Sequence, residues 1–573
     1  MPESPAPLSS RRWCAARRIT VIAVVATVLP ALGMATANAS SPIGAKSVAP
    51  GAPGSAQPDL RQLHRNIDRT LSPRTQFTMA PDGSSGLTQG GAGIPNIDSV
   101  KSTVRTYYNA ENGIANKTSS PYISEMNALM ARETAKLPRL LTQAKKTGKK
   151  PAVVFDADDT TLWTYDMEDA GMHFNFDPAL QDVYVQEQRF PAVPAIVAFE
   201  KKAKAMGFTI FGLSGRNDDQ KTATVANLNK VGYRGFTANR TFTKWTGKGA
   251  SQQPSYIACV TVKCTTVEFK AGTRAHIESL GYNIALNLGD QWSDLQGGHA
   301  SNYLKVPNPT YYLPSPDLPG LSEPKLAPRS HFRMKADGSS GRTAGGEGIP
   351  NVDSTKSTIR TYYGTDATGI ANKVTSPYIS EITRLTRSIS PILNAACGVS
   401  RFVGIRPAIV LDVDDTTLST YDMEDAAMHF NFDPALQDVY VQGQKFPATP
   451  GMVALANAAT RSGCTIIGLT GRNDDQKAAT LGNLSKVGYT GFTSANLYTK
   501  WTGKGASQQP SYIKCATAKC STIEFKSQTR AFKQTSAGGR YTILANFGDQ
   551  FSDLIGGSAV VPVKLPNPTY YLP

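Results

Sequence analysis

Asp156 and Asp158 stand two residues apart where the apolar run Val153-Val154-Phe155 ends, and Asp159, Thr160 and Thr161 follow. The pattern returns at Asp412 and Asp414, after Ile409-Val410-Leu411. Acids at i and i+2 leaving a strand point to the same side, and carboxylates that close repel one another unless a cation joins them. Mg²⁺ would serve, because it takes oxygen ligands from one or two carboxylates together with substrate phosphate. Further along the first half, Ser214 and Arg216 close a second apolar run, and Asp290 and Asp294 close a third. Thr470, Arg472, Asp549 and Asp553 take the matching places in the second half, with Lys270 and Lys526 ahead of the last run. The set suits phosphoryl transfer: carboxylates hold the metal, a hydroxyl with Lys and Arg holds phosphate oxygens, and one Asp is free to attack.

Such groups work together only if several strand ends converge. An apolar run of this length reads as a buried strand of a parallel sheet, and open α/β sheets bind ligands outside the carboxyl ends of their strands. Residues 208–213 and 282–288 read as two more buried strands, with helices expected over 120–141 and 218–231. Strands alternating with helices predict a parallel α/β sheet. Several assignments stay open at this level. Lys248 or Lys504 could replace Lys270 or Lys526, and Arg216 and Arg472 could simply cap a loop. His173 and His429 read better as structural than as catalytic. Trp163 becomes Ser419 in the second copy, a change of either substrate choice or packing.

The chain is one domain written twice. TKWTGKGASQQPSYI occurs without change at 243–257 and 499–513, and HFNFDPALQDVYVQ at 173–186 and 429–442. Asp82-Gly83-Ser84-Ser85-Gly86 opens the first copy and Asp337-Gly338-Ser339-Ser340-Gly341 the second, while PNPTYYLP closes both. Units this long are whole domains rather than solenoid repeats. Residues 1–39 read as a signal peptide, with Arg11, Arg12, Arg17 and Arg18 before an apolar stretch and Ala37-Asn38-Ala39 as the cleavage site. Residues 40–73 read as a flexible leader, 74–314 as the first domain, 315–328 as a Pro-rich linker and 329–573 as the second domain. A secreted protein without a transmembrane segment in its mature form is expected.

Charge and cysteines agree with that setting. The formal net charge of +16 is spread along the 573 residues. It favours anionic partners, either small phosphomonoesters or a polyanionic cell surface. No motif for specific nucleic-acid binding is present. In an exported chain, Cys259 with Cys264 and Cys515 with Cys520 read as local disulfides, since no His or further Cys completes a zinc set. Cys397 and Cys464 appear together in the second copy, where the first has Leu141 and Phe208, which suggests a third disulfide.

The order Asp-x-Asp-x-Thr, then Ser or Thr at a strand end, then Lys, then Gly-Asp-x-x-x-Asp resembles the haloacid dehalogenase-like (HAD) superfamily. The stretches around Ser214-Gly215-Arg216, Asn227 to Tyr233, Gly289 to Asp294 and Pro307 to Tyr312 resemble its acid phosphatase branch, which includes plant acid phosphatases and vegetative storage proteins. The likeness covers most of each domain, but not the stretch before about Ser120 or the cysteine pairs. It implies two tandem Rossmann-like parallel-sheet domains, each with a small cap insertion. It implies that Asp156 and Asp412 are nucleophiles forming an aspartyl-phosphate, and that Asp158 and Asp414 are general acid/base groups. Their backbone carbonyls would also reach the metal. Asp290 and Asp549 would ligate Mg²⁺ with support from Asp294 and Asp553. Ser214 and Thr470 would bond phosphate, and Lys270 and Lys526 would balance charge. Keeping the acid protonated favours low pH, since an ordinary Asp titrates near about 3.9. The expected activity is that of a secreted Mg²⁺-dependent acid phosphatase. The alternatives are a secreted phosphate- or surface-binding or storage-type protein with weak activity, and a phosphotransferase that passes phosphate to an alcohol.

Overall fold

The computed structural model describes residues 85–245, 249–313, 340–501 and 506–572. The expected signal peptide, leader and linker, together with Lys248 and Lys504, lie outside these residues. Two compact units result, one built on residues 94–359 and the other on 360–572 with the short segment 85–93. Their limits depart from the repeat: residues 340–359 open the second copy in sequence yet belong to the first unit.

The first unit is built on the strands β1 (Lys150–Phe155), β2 (Thr209–Asn217), β3 (Thr241–Lys244), β4 (Tyr282–Gly289) and β5 (Tyr303–Lys305). They pair in the order β3-β2-β1-β4-β5, and every pairing is parallel. The second unit repeats this with β6 (Arg406–Leu411), β7 (Thr465–Thr470), β8 (Leu497–Thr499), β9 (Tyr541–Gly548) and β10 (Val561–Lys564), in the order β10-β9-β6-β7-β8. The chain runs outward from β1 to β3 on one side, then returns to place β4 on the other. The reversal opens a crevice between the carboxyl ends of β1 and β4, where α/β sheets bind ligands.

The continuous apolar run of β1 has a packing reason. Ala152 and Val154 face one layer with Phe211, Ile284, and Phe269 and Ile277 of the helix Thr266–Ser279. Phe155 faces the other layer, edge-on to Phe199 of the helix Pro194–Ala205 and to Phe236. Both faces are covered, so neither can alternate with polar residues. Truncating Phe155 to Ala would cost about 3–5 kcal/mol in such a core.

Between β1 and the helix Pro194–Ala205 lies the small cap: a wide turn of helix at Met167–Gly171 and the helix Pro178–Gln186, capped by Asp177. The disulfides Cys259–Cys264, Cys397–Cys464 and Cys515–Cys520 are all formed. The second ties the helix Pro377–Phe402 to the residue before β7. Among the described residues, no helix is long and apolar enough to cross a membrane.

Candidate active site

Asp156 extends β1 by one residue, its N–H donating to Leu288 O on β4 at 3.0 Å. The chain then turns sharply. The amides of Thr161 and Leu162 both return to Ala157 O, and Asp159 takes a left-handed φ of +48°. That region suits Asp better than bulkier residues. The Thr161 hydroxyl fastens the turn by donating to Asp156 O at 3.0 Å. Asp158 emerges from it with a quarter of its side chain exposed and meets Arg216 at the end of β2. The Arg216 Nε and NH2 groups grip Asp158 at 3.0 and 2.6 Å, while NH1 donates to Thr224 Oγ1 at 2.9 Å. Arg216 is thus held as a partner of Asp158. Ser214, buried on β2, accepts the Arg216 N–H at 3.2 Å.

At the end of β4, Gly289 leads into Asp290 and the short helix Trp292–Leu295. Asp294 folds back so closely that a Cβ on Gly289 would lie 2.2 Å from the Asp294 Cβ, which explains the glycine in the motif. Asp294 Oδ2 accepts the Gln291 N–H at 2.9 Å, and Asp290 Oδ2 accepts from Gln291 Nε2 at 2.7 Å and Asn308 Nδ2 at 2.8 Å. The helix Thr266–Ser279 supplies the cation. Its N-terminus is fixed by a capping box between Thr265 and Glu268. One turn in, Lys270 Nζ reaches Asp156 Oδ1 at 2.6 Å and Asp294 Oδ1 at 2.5 Å. Arg274, another turn on, donates to the Asp294 carbonyl at 2.6 Å and to the Gln296 and Gly298 carbonyls. One helix therefore holds both ends of Asp294.

Asp156, Asp290 and Asp294 are buried and offer one oxygen each within 4.8 Å of one another, and Asp412, Asp549 and Asp553 do the same. Three carboxylates against one Lys leave each cluster with a formal excess of two negative charges. A divalent cation would balance that charge, and an all-oxygen donor set suits a hard one. The strain shows in the proton affinities. Burial pushes Asp156 well above the usual carboxylate range, with Lys270 opposing and Asp294 and Asp290 adding to it. Burial and then Asp294 raise Asp290 to about 6. Burial opposes the Lys270 charge too, yet Asp156 and Asp294 outweigh it and hold the ammonium above its ordinary value.

The second unit reproduces the geometry. Lys526 Nζ lies 2.5 Å from Asp412 and 2.6 Å from Asp553, and Arg472 grips Asp414 at 3.1 and 2.7 Å. Thr470 accepts the Arg472 N–H at 3.1 Å, as Ser214 does for Arg216. Asn567 Nδ2 and the Tyr570 hydroxyl donate to Asp549 Oδ2 at 2.8 and 3.1 Å.

Asp156, Asp158, Ser214, Arg216, Lys270, Asp290 and Asp294 therefore gather at the carboxyl end of one sheet, and Asp412, Asp414, Thr470, Arg472, Lys526, Asp549 and Asp553 at that of the other. His173 and His429 are exposed. Trp163 is buried among Tyr108, Tyr122 and the Lys117 ammonium, so its replacement by Ser419 is a packing difference. Sequence reasoning named Asp159 but gave it no role; it is buried in the turn and raised to about 8 by burial and by Asp290. The same reasoning missed Asn308, Gln291 and Lys244, a second cation at the end of β3, lowered by burial and by neighbouring Lys270. Asp159 and Asn308 sit inside repeated motifs, and that repetition was the available signal.

The chain is similar to the stem 28 kDa glycoprotein of Glycine max, 36% identical over 29% of this chain and 61% of that one. It is similar to acid phosphatase 1 of Solanum lycopersicum, 29% identical over 28% of this chain and 58% of that one. The chain thus spans about six-tenths of the length of these relatives. A solved structure, the class C acid phosphatase from Bacillus anthracis, matches at 21% identity and a TM-score of 0.27, over 37% of this chain and 86% of that one. The model of the HAD superfamily, subfamily IIIB (acid phosphatase), matches twice, at residues 103–314 and 368–573. The two matches take in most of the chain, which therefore belongs to HAD subfamily IIIB, the acid phosphatases.

Proposed function

We propose that each unit is a Mg²⁺-dependent phosphomonoesterase acting through an aspartyl-phosphate. The observation that carries this reading is the Lys270 bridge from Asp156 to Asp294, beside Asp158 in the grip of Arg216. Asp156, Asp290 and Asp294 would hold Mg²⁺, as would Asp412, Asp549 and Asp553. When bound, Mg²⁺ supplies charge balance and polarisation of phosphoryl oxygens.

The chain's own groups do the rest. An Asp156 carboxylate oxygen attacks phosphorus, forming an O–P bond as the ester P–O bond breaks. Asp158 gives its proton to the departing alkoxide, so the alcohol leaves neutral. Asp158, now a carboxylate, takes a proton from water as that water attacks phosphorus. The Asp156–phosphate bond breaks, phosphate leaves and both acids return to their starting states. Lys270 keeps Asp156 oriented and, with Ser214, would hold phosphoryl oxygens. Asp412, Asp414, Lys526 and Thr470 have the same roles in the second unit.

The substrate class is a small phosphomonoester, and the setting is extracellular, consistent with three disulfides. The spread charge of +16 favours contact with a polyanionic surface. Hydrolysis of an aryl phosphate, followed against pH with Mg²⁺ and with chelator, tests the reading. Metal-dependent turnover with an acidic optimum is expected. Absence of turnover in folded, metal-loaded protein would favour a binding or storage role, and phosphate passing to added alcohol would favour a phosphotransferase.

A further inference from the structure

The loop 308–312 bears on the first site because Asn308 Nδ2 holds Asp290, and because Gln291 Nε2 spans Asp290 and the Tyr311 carbonyl. The other side of this loop is held by residues that the sequence repeat assigns to the second copy. Asn351 Nδ2 donates to the carbonyls of Asn308 at 3.1 Å and Tyr311 at 2.7 Å. The Val352 N–H donates to Pro309 O at 2.8 Å, and Asp353 accepts the Tyr312 N–H at 3.3 Å. One turn further, the buried Lys356 ammonium reaches the Phe174 carbonyl in the cap, where the Phe174 N–H returns to Glu168 O at 2.6 Å. Glu168 is buried, and burial, then the charges of Asp159, Asp353 and Asp158, raise its proton affinity against the opposing Lys356 ammonium. The segment 351–356 thus ties the loop behind the metal-binding acid to the base of the cap, wholly within the first unit.

Resting on the phosphatase reading of that site, we propose that Asn351 and Lys356 are positioning residues of the first active site, although they lie in the second sequence copy. Two roles of Asn351 can be separated. Its Oδ1 caps the helix Val352–Tyr363 by accepting from Asp353 and Ser354 N–H at 3.0 and 3.2 Å. Of its two side-chain polar atoms, Nδ2 is the one that reaches the loop, alongside the Val352 and Asp353 bonds. Ser is as good a cap as Asn but has no second donor group to reach both carbonyls, so Asn351→Ser keeps the helix start and removes the tie.

The test uses the full chain. Asn351→Ser, Lys356→Met and Lys356→Arg are each combined with Asp412→Asn, which leaves the first site to be measured, and with Asp156→Asn, which leaves the second. Asn351→Ser and Lys356→Met are expected to lower first-site kcat roughly 10-fold or more, as for other small misplacements of catalytic groups. Lys356→Arg recovers most of the rate, and the second site is unchanged. In metal-free protein, Asn351→Ser speeds hydrogen exchange at the amides of 290–291 and 310–313. Equal losses at both sites, loss at the second site alone, or an unaltered first-site rate would overturn the inference. If the parent chain hydrolyses no phosphomonoester, the phosphatase reading fails by itself. Exchange then decides: faster exchange upholds the positioning role, and unchanged exchange overturns it.

Discussion

Arg216 and Asp158 form a two-pronged pair, Nε and NH2 lying 3.0 and 2.6 Å from the two carboxylate oxygens. The guanidinium is buried while the carboxylate keeps a quarter of its surface exposed. Such a pair fixes the direction of the carboxylate, as its proposed role toward a leaving group would require. Arg216→Ala with Asp412→Asn should lower kcat by about 100-fold and leave KM within a few-fold, in the range expected for general acid–base catalysis. Steady-state kinetics on an aryl phosphate checks it; a change confined to KM would assign Arg216 to substrate binding.

Asp156 and Asp412 should each be indispensable to one site only. Asp156→Asn and Asp412→Asn should each remove part of the total activity, and the double variant should remove essentially all of it. In each single variant the steady-state phosphate should be carried by the remaining Asp alone, detectable by mass spectrometry after acid quench during turnover. Complete loss in one single variant would make the other unit a passenger.

Lys270 lies between two buried carboxylates. Removing one partner of a buried ionic cluster costs about 3–5 kcal/mol, so Lys270→Met should lower the melting temperature of the first unit's transition in chelator. Mg²⁺ should restore part of it, because the cation takes over the charge balance. Calorimetry with and without Mg²⁺ measures both effects.

Stability of the metal-free protein should fall as pH rises. Burial lifts Asp290 to about 6, Asp159 to about 8 and Asp415 to about 7. A carboxyl with a raised folded value binds its proton more tightly folded than unfolded. Its contribution is therefore full below the unfolded value of about 4 and is lost as pH climbs through 6 to 8. The melting temperature in chelator should drop between pH 5 and pH 8, and Mg²⁺ should raise it more at pH 8. A flat profile would mean that the clusters are already neutralised.

The Cys397–Cys464 disulfide closes a loop of sequence separation 67 in the second unit. The loop-entropy estimate for that length is about 4 kcal/mol. Cys397→Ala with Cys464→Ala should lower the second unit's melting temperature and leave the first unit's unchanged. Replacing the pair by Leu and Phe, as at Leu141 and Phe208 in the first copy, should recover part of the loss. Calorimetry on these variants decides the outcome.

Much of the molecule was legible in the sequence because its signals are local. The apolar run before Asp156 is uninterrupted because both faces of β1 are covered, and the acids at its end mark where the strand leaves the core. The repeat made each motif visible twice, so Lys270 and Lys526 could be matched across the copies before their 2.6 and 2.5 Å contacts with Asp156 and Asp412 were known. Other relationships join residues far apart in the chain and leave no local trace. Nothing beside Arg216 in sequence tells that it grips Asp158, 58 residues away. Asn308 reads as part of a turn motif until folding places its amide on Asp290. The repeat even suggests the wrong neighbours for Asn351 and Lys356, which open the second copy but hold the loop and cap of the first unit. Sequence by itself determined which residues could do the chemistry and which strands carry them, since residue type and periodicity are properties of short segments. Only the tertiary structure decided which carboxylate meets which cation, because those pairings depend on how distant segments pack.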